Sequence, residues 1–346
     1  MVFFPKLSLK AKKMGIDYRV EIERLKEELP VTVVGHYYQR DEVFEMADIT
    51  GDSLELARKC KADDNPWVVF CGVGFMGQSV KVIAPEKRVL MPKIACCAMA
   101  RMMDGQYFDE SVAYMEKHGV SRENILPITY INSDASVKAK VGEMGGMVCT
   151  SSNAYKIIEK GLESGKKILF VPDRCLGQNF ANSMGLKSCV IGEEGKECNP
   201  AEADVICFNG FCSVHQLFTL DDIEFYREKY PDIKIAVHPE CDPAIVDAAD
   251  FAGSTSQLIK YVSELDPEQK VAVGTEYNLV NRMRQGNTYV LSSTKPECPT
   301  MNETTLEDLY NTLKSIEDNE PINEILVDED TRHYANLALE RMLAIN

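Results

Sequence analysis

The chain has 346 residues, with 54 acidic against 38 basic side chains and a formal net charge of −16. This balance excludes binding to nucleic acid or to an anionic membrane through a basic surface, so we expect neither as a partner. The chain is longer than a typical domain with one hydrophobic core, and its length suits two or three domains of about 100 residues each.

The sequence offers no segment for export or for membrane insertion. Its first apolar run is broken by Pro5 and Lys6 and is too short for the centre of a secretory signal. No apolar stretch approaches the roughly 18 residues that a membrane helix needs. We therefore expect a cytoplasmic protein, whose twelve cysteines are reduced or bind metal.

Four short runs rich in β-branched residues recur in the same order three times, and each is followed by a polar turn and a helical pattern. Their length and composition are typical of strands. The runs span 31–36, 47–50, 67–72 and 88–92, then 126–131, 147–150, 168–173 and 204–210, then 233–238, 250–254, 271–276 and 289–294. Strands that alternate with helices predict an α/β fold of three similar parallel-sheet sandwich domains.

We place these domains at residues 1–104, 105–230 and 231–346, and the last includes two C-terminal helices. The second block is longer than the others, and most of its excess lies between Cys175 and Ala203. We expect this insertion to be a surface excursion. Its cysteines have no C-x-x-C spacing, so the pattern leaves a further metal or redox role open.

One cysteine falls a few residues past the last strand of each block: Cys97, Cys212 and Cys298. This equivalence predicts three thiols delivered to one shared metal centre. Three thiolates from distant positions suit either zinc or an iron–sulfur cluster with one open iron. The pattern alone does not decide between Cys96 and Cys97. Five other cysteines in or beside predicted strands and helices are read as small buried hydrophobes: Cys60, Cys71, Cys149, Cys207 and Cys241.

Polar side chains stand at the carboxyl ends of the predicted strands, where parallel sheets bind ligands. They are His36, Tyr38, Asp52, Ser53, Tyr130, Asn132, Thr150, Ser151, His238, Glu240, Ser254, Thr255 and Glu276. A further histidine, His215, follows the predicted ligand Cys212 by three residues. If the three sheets point their carboxyl ends at one axis, these groups and the cysteines line a single cavity.

Glu240 stands two residues beyond His238, so an extended segment points both side chains to the same side. The pair suits proton transfer, with Glu240 as acid or base. The alternative is that Glu240 caps a helix beginning near Pro243. The turns at 150–154 and 253–257 place hydroxyls and N–H groups at helix starts, where the helix dipole favours carboxylates or phosphate.

At these residues the chain resembles the quinolinate synthase family. The matching motifs occur in family order over residues 31–316: GHYYQ, ADITGDS, FCGVGFMGQS, PKIACCAMA, TYINSDASVKA, CTSSNA, GFCSVHQLFT, VHPECDP, AGSTSQ, VGTEYNLV and CPTMNETTLEDLYNTL. The resemblance implies a triangular protein with pseudo-threefold symmetry around a central active site. It also implies one 4Fe-4S cluster held by three cysteines, with the fourth iron open to substrate.

The implied reaction condenses iminoaspartate (iminosuccinate) with dihydroxyacetone phosphate to quinolinate in de novo NAD biosynthesis, with release of phosphate and water. An L-aspartate oxidase or dehydrogenase is the implied supplier of iminoaspartate. By resemblance the ligands are Cys97, preferred over Cys96, with Cys212 and Cys298. Tyr38, Glu240 and His215 are the implied catalytic residues. The implied substrate-binding residues are His36, Ser53, Tyr130, Asn132, Ser151, His238, Glu240 and Thr255.

Three features depart from the family pattern. Tyr37 stands where the family often has Asn, and Gly74 replaces a frequently larger polar residue; these two are expected to change the shape of the cavity. The Cys-Ala-Met-Ala run at 97–100 differs from the common Cys-Ser version. Other readings of the residues are an iron–sulfur hydro-lyase acting on another small hydroxy acid, a non-catalytic iron or redox sensor, and a structural zinc site. The sensor would need a partner-binding surface that the sequence lacks, and zinc would leave the strand-end polar groups without a use.

Overall fold

The computed structural model describes residues 15–283 and 286–345, which form three parallel sheets flanked by helices. The first sheet contains β1 (Val31–His36), β2 (Ile49–Gly51), β3 (Trp67–Cys71) and β4 (Arg88–Leu90). The second contains β5 (Ile125–Tyr130), β6 (Met147–Cys149), β7 (Lys167–Val171), β8 (Ser188–Val190) and β9 (Val205–Cys207). The third contains β10 (Lys234–Val237), β11 (Phe251–Ala252), β12 (Val271–Gly274) and β13 (Thr288–Val290).

Helices connect these strands and cover both faces of the sheets. In the first repeat they are Tyr18–Glu28, Asp41–Phe44, Ser53–Ala62, Gly74–Ile83 and Ala98–Met102. In the second they are Gly105–Lys117, Ala135–Glu143, Ala154–Leu162, Arg174–Ser183 and Leu220–Lys229. The remainder are Pro243–Ala248, Thr255–Glu264, Tyr277–Met283, Leu306–Glu317 and Glu329–Leu343. Single 3₁₀ turns lie at Arg122–Asn124, His215–Leu217 and Met301–Glu303.

The three sheets repeat one strand order: β2-β1-β3-β4, β6-β5-β7-β9 and β11-β10-β12-β13. Every pairing between neighbouring strands is parallel. The predicted α/β fold of three similar parallel-sheet units is therefore confirmed. In the third repeat the strands end before the predicted ends, because the residues that follow leave the hydrogen-bonded ladder.

The prediction of a surface excursion between Cys175 and Ala203 was wrong in two respects. Its first part is the helix Arg174–Ser183, which follows β7 as the helix Gly74–Ile83 follows β3. Its second part includes β8, which pairs with β9 and extends the sheet by one strand. The sequence does not indicate β8, because this short strand lies in a stretch rich in glycine and charged residues that is typical of a loop. Cys189 and Cys198 form a disulfide, so the expectation of reduced cysteines fails for this pair.

The two C-terminal helices pack on the first and second repeats. The apolar cluster on the third sheet contains no residue of these helices. Leu309 and Leu313 of the helix Leu306–Glu317 share a core cluster with Ile22 and Leu25 of the first repeat. The helix Glu329–Leu343 packs on Ala135–Glu143, and a Cβ added at Gly142 would lie 1.9 Å from the carbonyl oxygen of Tyr334.

The domain limits 1–104, 105–230 and 231–346 remain predictions. A continuous cluster of buried apolar residues joins the first and second repeats, so their packing does not mark a boundary. Within the described part of the chain, no helix is long and apolar enough to cross a membrane.

Candidate active site

A single cavity lies where the carboxyl ends of the three sheets meet, and it encloses about 730 Å³ of space, part of it open to solvent. All thirteen side chains that the sequence analysis assigned to the site line this cavity. They are His36, Tyr38, Ser53, Cys97, Tyr130, Asn132, Ser151, Cys212, His215, His238, Glu240, Thr255 and Cys298. The structure therefore brings together every residue to which the sequence analysis gave a role, although it does not test those roles. Of the other polar residues expected in the cavity, Asp52, Thr150 and Glu276 line it, whereas Ser254 does not and instead caps the helix Thr255–Glu264.

Strand register shows why these residues converge. In each repeat the central strand pairs with a neighbouring strand, and one residue near its end faces that neighbour's final residue. These residues are Gly35 opposite the end of β3, Thr129 opposite the end of β7 and Val237 opposite the end of β12. Equivalent positions in the three repeats can be counted from these pairs. Three sets of site residues result: His36, Tyr130 and His238; Tyr38, Asn132 and Glu240; and, beyond the adjoining strands β2, β6 and β11, Ser53, Ser151 and Thr255.

The three predicted ligand cysteines are unpaired, and all face the cavity, whereas Cys96 is exposed. Burial raises the pKa of Cys97 to about 12 and the pKa values of Cys212 and Cys298 above the ordinary thiol value. Nearby Cys298 and Glu240 add to the rise at Cys97, which shows that like-charged groups would crowd here. Thiolates in this place therefore need a bound cation to stabilise them.

The spacing of the thiols bears on what they can hold. Among the described residues, the three cysteine sulfurs do not all lie within 4.8 Å of one another, whereas ligand atoms of Cys212, His215 and Glu240 do. A single tetrahedral zinc ion would bring its sulfur ligands to about 3.8 Å from one another. As they stand, the three thiols therefore do not form the ligand set of a single tetrahedral zinc ion.

Glu240 is 4% exposed and is held by two side chains from the second repeat. The hydroxyl of Tyr130 donates to its Oε1 at 2.7 Å, and Nδ1 of His215 lies 3.0 Å from its Oε2. The His215 contact has a poorer angle than a regular hydrogen bond, but Nδ1 has no other partner. Burial alone would raise the pKa of Glu240, yet the neighbouring imidazole of His215 and the hydrogen bonds from His215 and Tyr130 lower it, so the carboxylate is ionised.

The alternative reading of Glu240 as a helix cap is excluded. The helix Pro243–Ala248 is capped by Asp242, whose Oδ1 accepts the N–H of Ala244 at 3.0 Å. The carboxylate of Glu240 instead faces the cavity. Its position in the third repeat is thus free for chemistry.

The equivalent histidines His36 and His238 make the same local hydrogen bond. Nδ1 of His36 accepts the N–H of Tyr38 at 3.1 Å, and Nδ1 of His238 accepts the N–H of Glu240 at 3.3 Å. Burial lowers the pKa of His36 to about 4 and that of His238 to about 3. Because Nδ1 is an acceptor in both rings, each neutral ring presents an Nε2–H donor.

Tyr38 lies at the seam between the first and third repeats. Its hydroxyl is 3.0 Å from Oγ1 of Thr255 and 3.1 Å from Oγ1 of Thr275. Burial and the negative charge of Glu240 raise the pKa of Tyr38 above its usual range, so the phenol keeps its proton. The cavity therefore holds one ionised carboxylate and one protonated phenol.

Two residues that sequence reasoning left without a role support the site. Thr275 is fully buried, and its hydroxyl contacts Tyr38 and Nε2 of His215. Glu276 lines the cavity, and its carboxylate accepts the N–H of Cys298 at 3.3 Å and that of Asn278 at 2.8 Å. Burial raises the pKa of Glu276 to about 8. The sequence signal was only that both follow β12, without indication of their partners.

Hydroxyl groups at the starts of helices face the cavity. The described residues that line it include no lysine or arginine. Ser53 and Thr255 are the first residues of helices of ten residues each, capped by Asp52 and Ser254, and Ser151 precedes the helix Ala154–Leu162. Helix N-termini carry partial positive charge and free N–H groups. The cavity can therefore bind anions through hydroxyls and helix ends, one from each repeat.

Comparison with known proteins agrees with this geometry. A family model described as quinolinate synthetase A protein (NadA) matches residues 20–344. A quinolinate synthase of Helicobacter pylori strain HPAG1 is 53% identical over 334 residues, which cover 95% of this chain and 98% of that protein.

More distant relatives carry the same name. A quinolinate synthase of Streptomyces coelicolor is 40% identical over 335 residues, covering 91% of this chain and 84% of that protein. One from Haloarcula marismortui is 38% identical over 328 residues, covering 91% and 87%. The chain therefore belongs to the quinolinate synthetase A protein family and is an enzyme of that kind.

Proposed function

We propose that the chain condenses iminoaspartate with dihydroxyacetone phosphate in this cavity to give quinolinate, one phosphate and two waters. The atoms of the two substrates balance those of the products without any oxidant or reductant. The observation that carries the proposal is that each repeat delivers one unpaired cysteine to a cavity that also holds Glu240 and Tyr38.

Cys97, Cys212 and Cys298 would hold a 4Fe-4S cluster with one iron free of protein ligands. Three unpaired thiols that face one cavity and do not form the ligand set of a single zinc ion fit this donor set. When bound, the cluster would supply a Lewis acid that polarises a substrate oxygen. Glu276 would keep the third ligand in place, because it accepts the N–H of Cys298.

The substrates are anionic, and the hydroxyl-bearing helix starts suit their carboxylate and phosphate groups. Ser53, Ser151 and Thr255 would each offer a hydroxyl beside a helix N-terminus. The neutral rings of His36 and His238 would add Nε2–H donors, and Asn132 an amide. Tyr130, already bonded to Glu240, would orient substrate beside that carboxylate.

Forming the carbon–carbon bond, losing water and closing the ring all require protons to be removed and returned. Glu240, ionised and buried, would act as the base. Tyr38, which keeps its proton, would act as the acid. His215 would hold the carboxylate of Glu240 in place through Nδ1.

Iminoaspartate is an imine that water hydrolyses, so a nearby enzyme must supply it. An L-aspartate oxidase or dehydrogenase forms this imine from aspartate and is the proposed partner. Transfer can be tested by mixing the two enzymes and asking whether quinolinate forms faster than free iminoaspartate allows.

The first experiment is anaerobic purification, followed by iron and sulfide analysis and an assay for quinolinate from iminoaspartate and dihydroxyacetone phosphate. We expect about four irons and four sulfides per chain, together with quinolinate formation. A loaded cluster without quinolinate would favour a hydro-lyase acting on another hydroxy acid. Zinc in place of iron would contradict the proposed mechanism.

A further inference from the structure

Asn179 holds the turn that carries Glu240, although it does not line the cavity itself. It lies in the helix Arg174–Ser183 of the second repeat and is buried. Its Nδ2 donates to the carbonyl oxygens of Pro239 and Cys241, each at 2.8 Å. These two residues directly precede and follow Glu240. One amide group of the second repeat therefore bonds the backbone on both sides of the proposed base.

The partners fix the orientation of this amide. A carbonyl oxygen accepts a hydrogen bond and has no hydrogen to give, so the atom of Asn179 that contacts both carbonyls is the NH2 nitrogen. This group has two hydrogens, and each carbonyl receives one. Pro239 and Cys241 are buried. A side chain without these hydrogens would leave two buried acceptors without this donor, so the turn would shift.

The position of this turn matters because the carboxylate of Glu240 is aligned between two fixed partners. Tyr130 donates to its Oε1 at 2.7 Å, and Nδ1 of His215 lies 3.0 Å from its Oε2. Both partners belong to the second repeat, as Asn179 does. The side chain and the backbone of Glu240 are therefore held by the same neighbouring repeat, and a shift of the backbone would change both carboxylate contacts.

The third repeat has a donor at the equivalent position. Val171 ends β7 and Gly274 ends β12, and each pairs with the equivalent residue of its central strand. Asn179 lies eight residues beyond Val171, and Arg282 lies eight residues beyond Gly274. The two side chains therefore occupy the same place in two repeats, on the helix that follows the third strand of each.

The contacts of Arg282 match those of Asn179. Arg282 donates to the carbonyl oxygens of Tyr37 and Gln39, which directly precede and follow Tyr38. Since Tyr38 is the residue of the first repeat that is equivalent to Glu240, the same two carbonyls are bonded in both turns. The turns that carry the proposed acid and the proposed base are thus each held from the next repeat by one side chain.

The first repeat shows that the fold does not require such a donor. The equivalent residue is Ser79, whose hydroxyl donates at 2.7 Å to the carbonyl of Phe75 in its own helix. Its neighbour Gln78 contacts Asp134 of the second repeat, beyond the turn that carries Asn132. No acid–base role is proposed for Asn132. The bridging donor is therefore found at the two turns that carry acid–base groups.

We propose that Asn179 is a positioning residue of the reaction, whose amide holds the turn at 239–241 so that the carboxylate of Glu240 stays aligned in the cavity. This inference rests on the proposed function, because it assumes that Glu240 is the base. Asn179 acts through the backbone of this turn and does not itself contact substrate.

The test compares wild type with Asn179→Leu, which has a side chain of similar size but no donor. Asn182→Leu is the first control, because it makes the same change at an exposed position of the same helix. Ser79→Ala is the second control, because it removes the buried donor at the equivalent position of the first repeat. Iron and sulfide content, kcat and KM are measured for each variant.

We expect Asn179→Leu to bind iron as wild type does and to lose about 10- to 100-fold in kcat, because a small displacement of the base is enough for such a loss. KM should change less, because most of the proposed substrate-binding residues lie in other loops. Both controls should keep the wild-type kcat. Wild-type kcat in Asn179→Leu, or an equal loss in Asn182→Leu, would overturn the inference.

A double variant separates positioning from general damage to the structure. Asn179→Leu is added to Glu240→Gln, which has already lost the proposed base. If the amide acts through the carboxylate, the substitution lowers kcat by a smaller factor here than in wild type, whereas general damage lowers it by the same factor in both. Equal factors would overturn the inference.

Two further outcomes are decisive. If Asn179→Leu does not bind iron, Asn179→Ala is measured in its place, because it also lacks the donor and needs less room. Loss of iron in both variants would show that the amide supports the whole fold, and the inference would fail. If the wild type makes no quinolinate, the proposed function fails, whereas an active wild type that Asn179→Leu equals refutes the positioning role alone.

Discussion

The first and third repeats place a histidine and, two residues later, a second polar side chain at the same position in the fold. The protonation states of these second side chains differ. In the first repeat His36 is followed by Tyr38, a phenol that keeps its proton. In the third repeat His238 is followed by Glu240, a carboxylate that has lost its proton. The local hydrogen bond to the histidine is the same in both.

The difference comes from side chains that other repeats supply. Tyr38 is held by Thr255 and Thr275 of the third repeat. Glu240 is held by Tyr130 and His215 of the second. The repeated fold thus fixes where a reactive group stands, and the seams between repeats fix its protonation state. Four predictions test this division.

The largest effect is expected at the ligands. Cys97→Ala should abolish both cluster loading and turnover, because it removes one of three thiolates. Cys96→Ala is the matched control, since Cys96 is the exposed neighbour, and it should keep both. Iron analysis and the quinolinate assay on the two variants decide the matter. Loss of iron in Cys96→Ala with normal loading in Cys97→Ala would reverse the assignment.

The next effect concerns the ionised carboxylate of the third repeat. Glu240→Gln should lower kcat by about 10²- to 10⁴-fold while the iron content stays at the wild-type level, because the base is lost and the shape is kept. Asp242→Asn makes the same carboxylate-to-amide change at the exposed helix cap and should change kcat little. Unchanged kcat in Glu240→Gln would remove Glu240 from the mechanism.

A smaller effect is expected at the seam between the third and first repeats, where two side chains hold three consecutive carbonyls of the loop that carries Tyr38. Arg282 donates to the carbonyl oxygens of Tyr37 and Gln39, the latter at 2.9 Å. Asn278 donates to that of Tyr38 at 3.1 Å. Arg282→Lys should lower kcat about 10-fold, because an ammonium group cannot span two carbonyls as the guanidinium does.

The control for this seam is Arg332→Lys. Arg332 pairs with Glu329 on the surface of the last helix and has no contact with the cavity. Its substitution should leave kcat at the wild-type value. Equal activity of Arg282→Lys and Arg332→Lys would show that the loop needs no support from the third repeat.

The smallest effect lies within one repeat and concerns stability. Lys138 is buried in the second repeat, donates to the carbonyl of Ser133 and has its pKa lowered by burial from 10.5 to about 7. Between about pH 7 and 10.5 the unfolded chain binds a proton that the folded chain does not, so folding stability rises with pH in this window. Below about pH 7 Lys138 is protonated in the folded chain as well, so the buried charge lowers the folding stability by its full amount.

Lys138→Met removes that charge, so its free energy of unfolding relative to wild type should be highest near pH 6 and fall towards pH 9. Urea unfolding of both proteins at the two pH values measures the difference. Lys140→Met, on the same helix at a surface pair with Asp109, should show no such trend. A difference that is flat with pH for Lys138→Met would refute the predicted titration.

Much of the fold and the membership of the site could be predicted from the sequence. Runs of β-branched residues gave all twelve predicted strands close to their observed place, and β8 was missed because it lies in a stretch rich in glycine and charged residues. The side chains at the strand ends converge because parallel strands direct their carboxyl ends to one edge. That rule alone was enough to place His36, Asn132 and Thr255 in one cavity.

What the sequence by itself determined was thus the repeated α/β architecture and the residue types that meet at its centre, since both follow from local periodicity and chain direction. Only the tertiary structure decided which groups touch. It turned Cys97 inward and left Cys96 exposed, and it ionised Glu240 through Tyr130 and His215. Hydrogen bonds and desolvation depend on atoms far apart in the chain, and no sequence spacing specifies those distances.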